Sequence, residues 1–120
     1  MSILMSLRGR YGNSTVTLAH SKSKNLTELT LKADIIIMAL GIPKFLKSDM
    51  IKKDSTIIDV GITRVEDKSK KRGYTIKGDV DFDSVSKKVK FLTPVPGGVG
   101  PMTIAMLLQN TLDARLSTLH

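Results

Sequence analysis

Pro94-Val95-Pro96-Gly97-Gly98-Val99-Gly100-Pro101-Met102-Thr103 places three glycines and three prolines in ten consecutive residues. Few backbone courses demand that composition. Just before it, Val89 to Thr93 is short and β-prone; just after it, Ile104, Leu107, Leu108, Thr111 and Leu112 recur at helical spacing. The stretch reads as a rigid loop joining a strand to a helix. Pro101 suits the first helical position, where a missing N–H costs nothing and φ is already helical. Free amides and the positive end of the helix dipole then open from the loop, beside glycines that let a ligand approach the backbone. A small anionic or carbonyl-bearing ligand suits that arrangement; the alternative is a tight strand-to-helix turn with no ligand.

Outward from this loop the chain alternates strands and helices. Residues 2–8 carry Ile3, Leu4 and Leu7 at helical spacing, with Gly9 and Gly12 ending the stretch. Thr15 to Ala19 is a strand, and Asn25 to Lys32 a short helix turning Leu26, Leu29 and Thr30 to the core. Asp34 to Leu40 is a continuous apolar run, as expected of a parallel strand buried on both faces. A short helix near Ser48 to Ile51 leads to a second such strand, Thr56 to Val60. Val65 and Tyr74 to Ile76 flank a charged loop and allow a hairpin. Asp81 to Val89 is helical, with Phe82, Val85 and Val89 on one face and Asp81 or Asp83 near its start. This order predicts an α/β, doubly wound, Rossmann-like and mostly parallel sheet.

Ligands of such sheets bind at the carboxyl ends of the strands. After the first strand stands His20-Ser21-Lys22-Ser23-Lys24, with no carboxylate until Glu28. A site selective for NAD usually puts an acidic residue there; hydroxyls and lysines suit a 2′-phosphate instead. Ser21 is equally readable as a helix-start residue, and His20, without a carboxylate or second histidine nearby, as a structural strand-end residue. After the second strand, Gly41 either admits a ribose or pyrophosphate to the backbone or makes a turn with Pro43. After the third stand Asp59, Val60, Gly61, Ile62, Thr63 and Arg64, where Asp59 reads as a carboxylate capping neighbouring amides.

PGGVGPMT with TPV ahead of it resembles the signature near the C-terminus of the methylenetetrahydrofolate dehydrogenase/cyclohydrolase (bifunctional FolD) family. TVTLAHSKSKNL (15–26), ADIIIMALGIP (33–43), IIDVGITRVED (57–67) and GDVDFDSV (78–85) fall in the same order. The resemblance covers nearly the whole chain. It implies an NADP-binding domain in which Ser21 meets the ribose or 2′-phosphate, Gly41 and Gly61 allow close approach, and Ile62 contacts the cofactor near its nicotinamide end. Gly97, Gly98 and Gly100 would face the folate and nicotinamide cleft, and Thr103 would reach the cofactor. Many family members carry Asn where Thr63 stands, a departure that leaves a backbone contact at Ile62 intact. The family's first cofactor strand, its GRSxxVGxP phosphate loop and its N-terminal domain with a catalytic lysine and tyrosine have no counterpart in these residues. The expectation is a partial NADP-binding domain over 1–120, lacking the first strand and the N-terminal catalytic domain. In the full family enzyme, a homodimer, hydride passes from the methylene carbon of the folate to NADP, and the methenyl product is hydrolysed to 10-formyltetrahydrofolate. None of the basic residues here takes the catalytic lysine's role.

Composition is consistent with this and less informative. With 120 residues and 41% hydrophobic content the chain can bury one core. The absence of cysteine excludes a disulfide framework and a thiolate metal site, and suits a cytoplasmic address. Residues 1–7 are apolar but lack the preceding basic segment of a secretory signal, and no run approaches membrane-spanning length. The net charge of +8 attracts phosphate, on a nucleotide or a nucleic acid. Many of the lysines lie at 68–72 and 87–90, without interleaved aromatics to stack on bases, and read as solvated faces. Nucleic-acid binding therefore rests on charge alone, while a non-catalytic nucleotide-binding or dimerisation module remains a second reading.

Overall fold

The computed structural model describes residues 1–10 and 12–118. Its centre is a three-stranded parallel sheet of order β1-β2-β5, built from β1 (Ile35–Met38), β2 (Thr56–Asp59) and β5 (Phe91–Leu92). Ile35 pairs with Thr56 and Thr56 with Phe91, so all three strands present their carboxyl ends at one edge. β3 (Thr63–Glu66) and β4 (Tyr74–Lys77) form a separate antiparallel hairpin. The helices are α1 (Ser2–Ser6), α2 (Leu26–Lys32), α3 (Phe82–Val85) and α4 (Val99–Ser117), with a 3-10 turn at Ser48–Met50.

The core lies on one face of the sheet. Ile36, Met38 and Ile57 meet Leu46, Ile51, Val80 and Val85 there, with Val89 and Leu92 packed against them. α2 joins this layer through Thr30, whose hydroxyl donates to Met50 O at 2.6 Å. Leu46 also bridges Val80 in parallel, with Leu46 N–H donating to Asp79 O and Asp81 N–H to Leu46 O. That bridge draws residues 78–81 under the turn that follows β1.

Four expectations change. Thr15 to Ala19 is not a strand: residues 15–18 are exposed, and no ladder joins them to the sheet among the described residues. A β-prone run with no partner edge keeps its backbone in water. β1 is not buried on both faces, because Ile36 and Met38 face the core while Ile35 remains 51% and Ile37 38% exposed. Among the described residues no helix covers that second face. α3 ends at Val85 and Phe82 stays exposed, while Val89 reaches the core from the following turn. Finally, α4 begins at Val99, so Pro101 is its third residue. The first four helical amides have no intrahelical acceptor, so proline is tolerated there as at the first position. The apolar spacing of α4 is helical as predicted, yet every residue from Gly100 to Thr118 is exposed.

Candidate functional site

Two aspartates organise the carboxyl edge of the sheet. Asp59, the last residue of β2, is 3% exposed, and its carboxylate accepts the N–H groups of Gly61 (2.9 Å), Asp79 (3.0 Å) and Val80 (3.0 Å). Its own N–H donates to the Thr93 hydroxyl at 2.8 Å, tying β2 to the residue after β5. The capping role expected of Asp59 is the one observed. Asp79 is fully buried, and its Oδ2 accepts the N–H groups of Leu40 (2.5 Å) and Gly41 (2.9 Å). Two buried carboxylates thus fix the turns after β1 and β2 and the segment after β4 in one frame, and the Asp59 N–H ties that frame to the residue after β5.

Sequence reasoning left Asp79 without a role. Flanked by Gly78 and Val80 between a hairpin and a helix, it reads as a turn residue; only the Leu46–Val80 bridge sinks it under Gly41.

The glycines divide by what lies where a side chain would stand. Gly41 has φ +71° and Gly97 φ +102°, and neither has an atom within 4 Å of a notional Cβ; Gly100 is equally open. These three leave backbone accessible to an approaching molecule. Gly61 and Gly98 differ. A Cβ on Gly61 would run into the Asp79 carboxyl, and one on Gly98 into the Pro94 carbonyl, so packing already requires glycine at both. The loop between β5 and α4 includes a cis peptide at Val95-Pro96.

The other predicted residues are placed as follows. Ile62 is 66% exposed, three residues past the end of β2 and next to the start of β3. Thr103 is on the second turn of α4, its hydroxyl donating to Val99 O at 2.9 Å. Ser21 is exposed in a turn closed by Ser23 N–H to His20 O (2.8 Å) and His20 N–H to the Ser23 hydroxyl (2.9 Å). His20 Nδ1 accepts the Lys22 N–H at 3.1 Å, a local turn bond. Gly41, Gly61 and Ile62 therefore share the carboxyl edge with the start of the glycine loop, while among the described residues no hydrogen bond joins the Ser21 turn to that edge. Open glycines at parallel strand ends, exposed Ile62 and a hydroxyl–lysine turn together suit a dinucleotide.

Nearby cavities add little. One of about 230 Å³ lies between Lys44, Asp59, Gly78, Val80 and Val95, where Lys44 pairs with Asp81 at 3.3 Å. Among the described residues no group of acidic, histidine or cysteine side chains is placed to hold a metal ion.

The chain is similar to known proteins along nearly its whole length. The family model for the tetrahydrofolate dehydrogenase/cyclohydrolase NAD(P)-binding domain matches residues 1–118. The bifunctional protein FolD of Flavobacterium johnsoniae is 70% identical over 115 residues, covering 96% of this chain and 39% of that protein. Among solved structures, the Campylobacter jejuni FolD enzyme superposes with a TM-score of 0.78 at 49% identity, covering 90% of this chain and 36% of that one. The Trypanosoma brucei enzyme, complexed with NADP and an inhibitor, gives 0.77 at 44% identity, covering 82% of this chain and 34% of that one. The chain thus spans about two fifths of the length of these relatives. With nearly all of its residues matched, the chain belongs to the tetrahydrofolate dehydrogenase/cyclohydrolase NAD(P)-binding domain family.

Proposed function

We propose that this chain is the NADP-binding part of a 5,10-methylenetetrahydrofolate dehydrogenase and 5,10-methenyltetrahydrofolate cyclohydrolase. The observation that carries the reading is the carboxyl edge of β1-β2-β5, where open glycine backbone at Gly41 and exposed Ile62 lie on a scaffold matched to the family over 118 residues. NADP, when bound, supplies the hydride acceptor. The protein's work is to hold and orient it: Gly41 and Gly61 with Ile62 along one wall, and Ser21 with Lys22 and Lys24 at the 2′-phosphate. Gly97, Gly98 and Gly100 line the folate side, and Thr103 reaches toward the cofactor from α4. Asp59 and Asp79, both spent on amides, move no proton.

The reading extends to a homodimeric, cytoplasmic enzyme acting on a folate, in which this chain is a partial cofactor domain working with an N-terminal catalytic domain. Among the described residues no helix is long and apolar enough to cross a membrane, which is compatible with that address. Protein-observed NMR of the labelled chain with NADP and with NAD tests the cofactor: saturable NADP binding that shifts Ile62 and Gly41 resonances supports it, and equal indifference to both nucleotides refutes it. A second reading, a non-catalytic dimerisation or nucleotide-binding module, is favoured by the exposure of α4 along its whole length. Assay of the chain joined to the remaining length of the Flavobacterium relative separates the two, because only the first reading gives folate-dependent reduction of NADP.

A further inference from the structure

Three amides of the turn after β1, those of Leu40, Gly41 and Lys44, point into the protein, and Ile42 N–H lies between them. Leu40 and Gly41 N–H both donate to Asp79 Oδ2, Pro43 has no N–H, and Lys44 N–H donates to Gly78 O at 3.1 Å. An anion-binding nest needs successive amides directed outward, and here the consecutive pair is already held by a buried carboxyl oxygen. The second oxygen of that carboxyl group has no hydrogen-bond partner and lies against the Cα of Gly61, where a side chain would displace it. One carboxylate therefore sets both the Gly41 turn and its spacing from the Gly61 turn.

We infer that Asp79 is a positioning residue that closes the Gly41 turn to phosphate and reserves it for an uncharged, hydroxyl-bearing part of the nucleotide, a ribose. The inference rests on the reading of this edge as a cofactor site. With the Leu40 and Gly41 amides turned inward onto one carboxyl oxygen, the turn has no pair of successive amides to offer a pyrophosphate, while its carbonyl oxygens and the open side of Gly41 can accept hydroxyl donors. The glycine at 61 follows from the same device, because only a residue without Cβ lets Asp79 stand where it does. The pyrophosphate must then be bound by another segment.

The test is amide NMR on the chain, with inorganic pyrophosphate and NADP as separate probes. In the unsubstituted chain, pyrophosphate is expected to leave the Leu40 and Gly41 amides unmoved. Asp79→Ala should lower their hydrogen-exchange protection about tenfold or more and make both shift saturably with pyrophosphate, whereas Asp79→Asn, which keeps an acceptor, should hold protection within about threefold. Pyrophosphate-dependent shifts of these amides in the unsubstituted chain, or unchanged protection in Asp79→Ala, would overturn the role given to Asp79. If Asp79→Ala does not fold, Gly61→Ala decides, since it displaces the carboxylate without removing it and should cost the same two amides their protection; intact protection there also overturns the proposal. Failure of NADP to shift Gly41 or Ile62, with the pyrophosphate and exchange results as expected, would sink the cofactor reading and the ribose with it, leaving the clamp itself standing.

Discussion

Gly78 packs against Asp59 and Gly41 is bonded to Asp79, yet their substitution should fail for different reasons. A Cβ at Gly78 would strike the Asp59 carboxylate and approach Val95, displacing the group that holds the amides of Gly61, Asp79 and Val80. Gly78→Ala should therefore cost about 3 kcal/mol, combining overpacking with loss of buried charged hydrogen bonds. Gly41→Ala meets open space and carries only the strain of an alanine at φ +71°, about 1–2 kcal/mol. Urea unfolding of the two variants checks the order; a larger loss in Gly41→Ala would mean that the Asp59 frame does not hold the edge. Ser21 is tested by specificity in an enzyme completed with a relative's remaining length. Ser21→Asp should raise KM for NADP relative to NAD by about tenfold to a hundredfold, the worth of a charged hydrogen bond, because a carboxylate repels the 2′-phosphate. Equal effects on both nucleotides would leave Ser21 as a turn residue.

Among the elements, the β3–β4 hairpin is held by its turn and by one aromatic ring. Arg64 and Arg72 lie 4.9 Å and 5.1 Å from the Tyr74 ring centroid, and Asp67 accepts both the hydroxyl (2.6 Å) and the N–H (3.1 Å) of Ser69. The Ser69 hydroxyl, more than its N–H, holds the Asp67 carboxyl below its ordinary value. A depressed carboxylate stabilises the folded hairpin above its unfolded pKa and loses that contribution as pH falls through the folded one. Ser69 amide protection should accordingly hold at neutral pH and decline below about pH 4, and Asp67→Asn should abolish that acid step. The hairpin itself was legible from Val65, Tyr74 and Ile76 flanking a charged loop, as were β1, β2 and β5 from short apolar runs and α4 from its spacing. Composition could not show that the run at 15–19 lacks a partner edge or that one face of β1 is bare, since both depend on what lies alongside. The site was legible where glycine marks a turn, at Gly41 and Gly61, and hidden at Asp79, whose burial arises from a bridge between residues 34 positions apart in sequence, Leu46 and Val80.

At the scale of the molecule, the radius of gyration of 16.9 Å exceeds the value of about 14 Å expected for a compact domain of this length. The excess has a visible source: α4 extends with Met102, Ile104, Leu107, Leu108, Leu112 and Leu116 all more than half exposed, while Ile35 and Phe91 lie bare on the sheet. Apolar surface on that scale, next to an unpaired edge of β1, favours association. Light scattering at micromolar concentration should find soluble oligomers, and a monodisperse monomer with a cooperative melt would show that these faces tolerate water. Activity makes the complementary test. The two carboxylates nearest the carboxyl edge are buried and bound to amides, and Lys44 is paired with Asp81, so none of these three groups stands free to transfer the proton that methenyl hydrolysis requires. The chain alone should give no measurable dehydrogenase or cyclohydrolase turnover, and adding the remaining length of a relative as a separate polypeptide should restore some by covering α4 and supplying the missing group. Turnover by the isolated chain would place the reacting groups within these 120 residues and overturn the division of labour proposed for them.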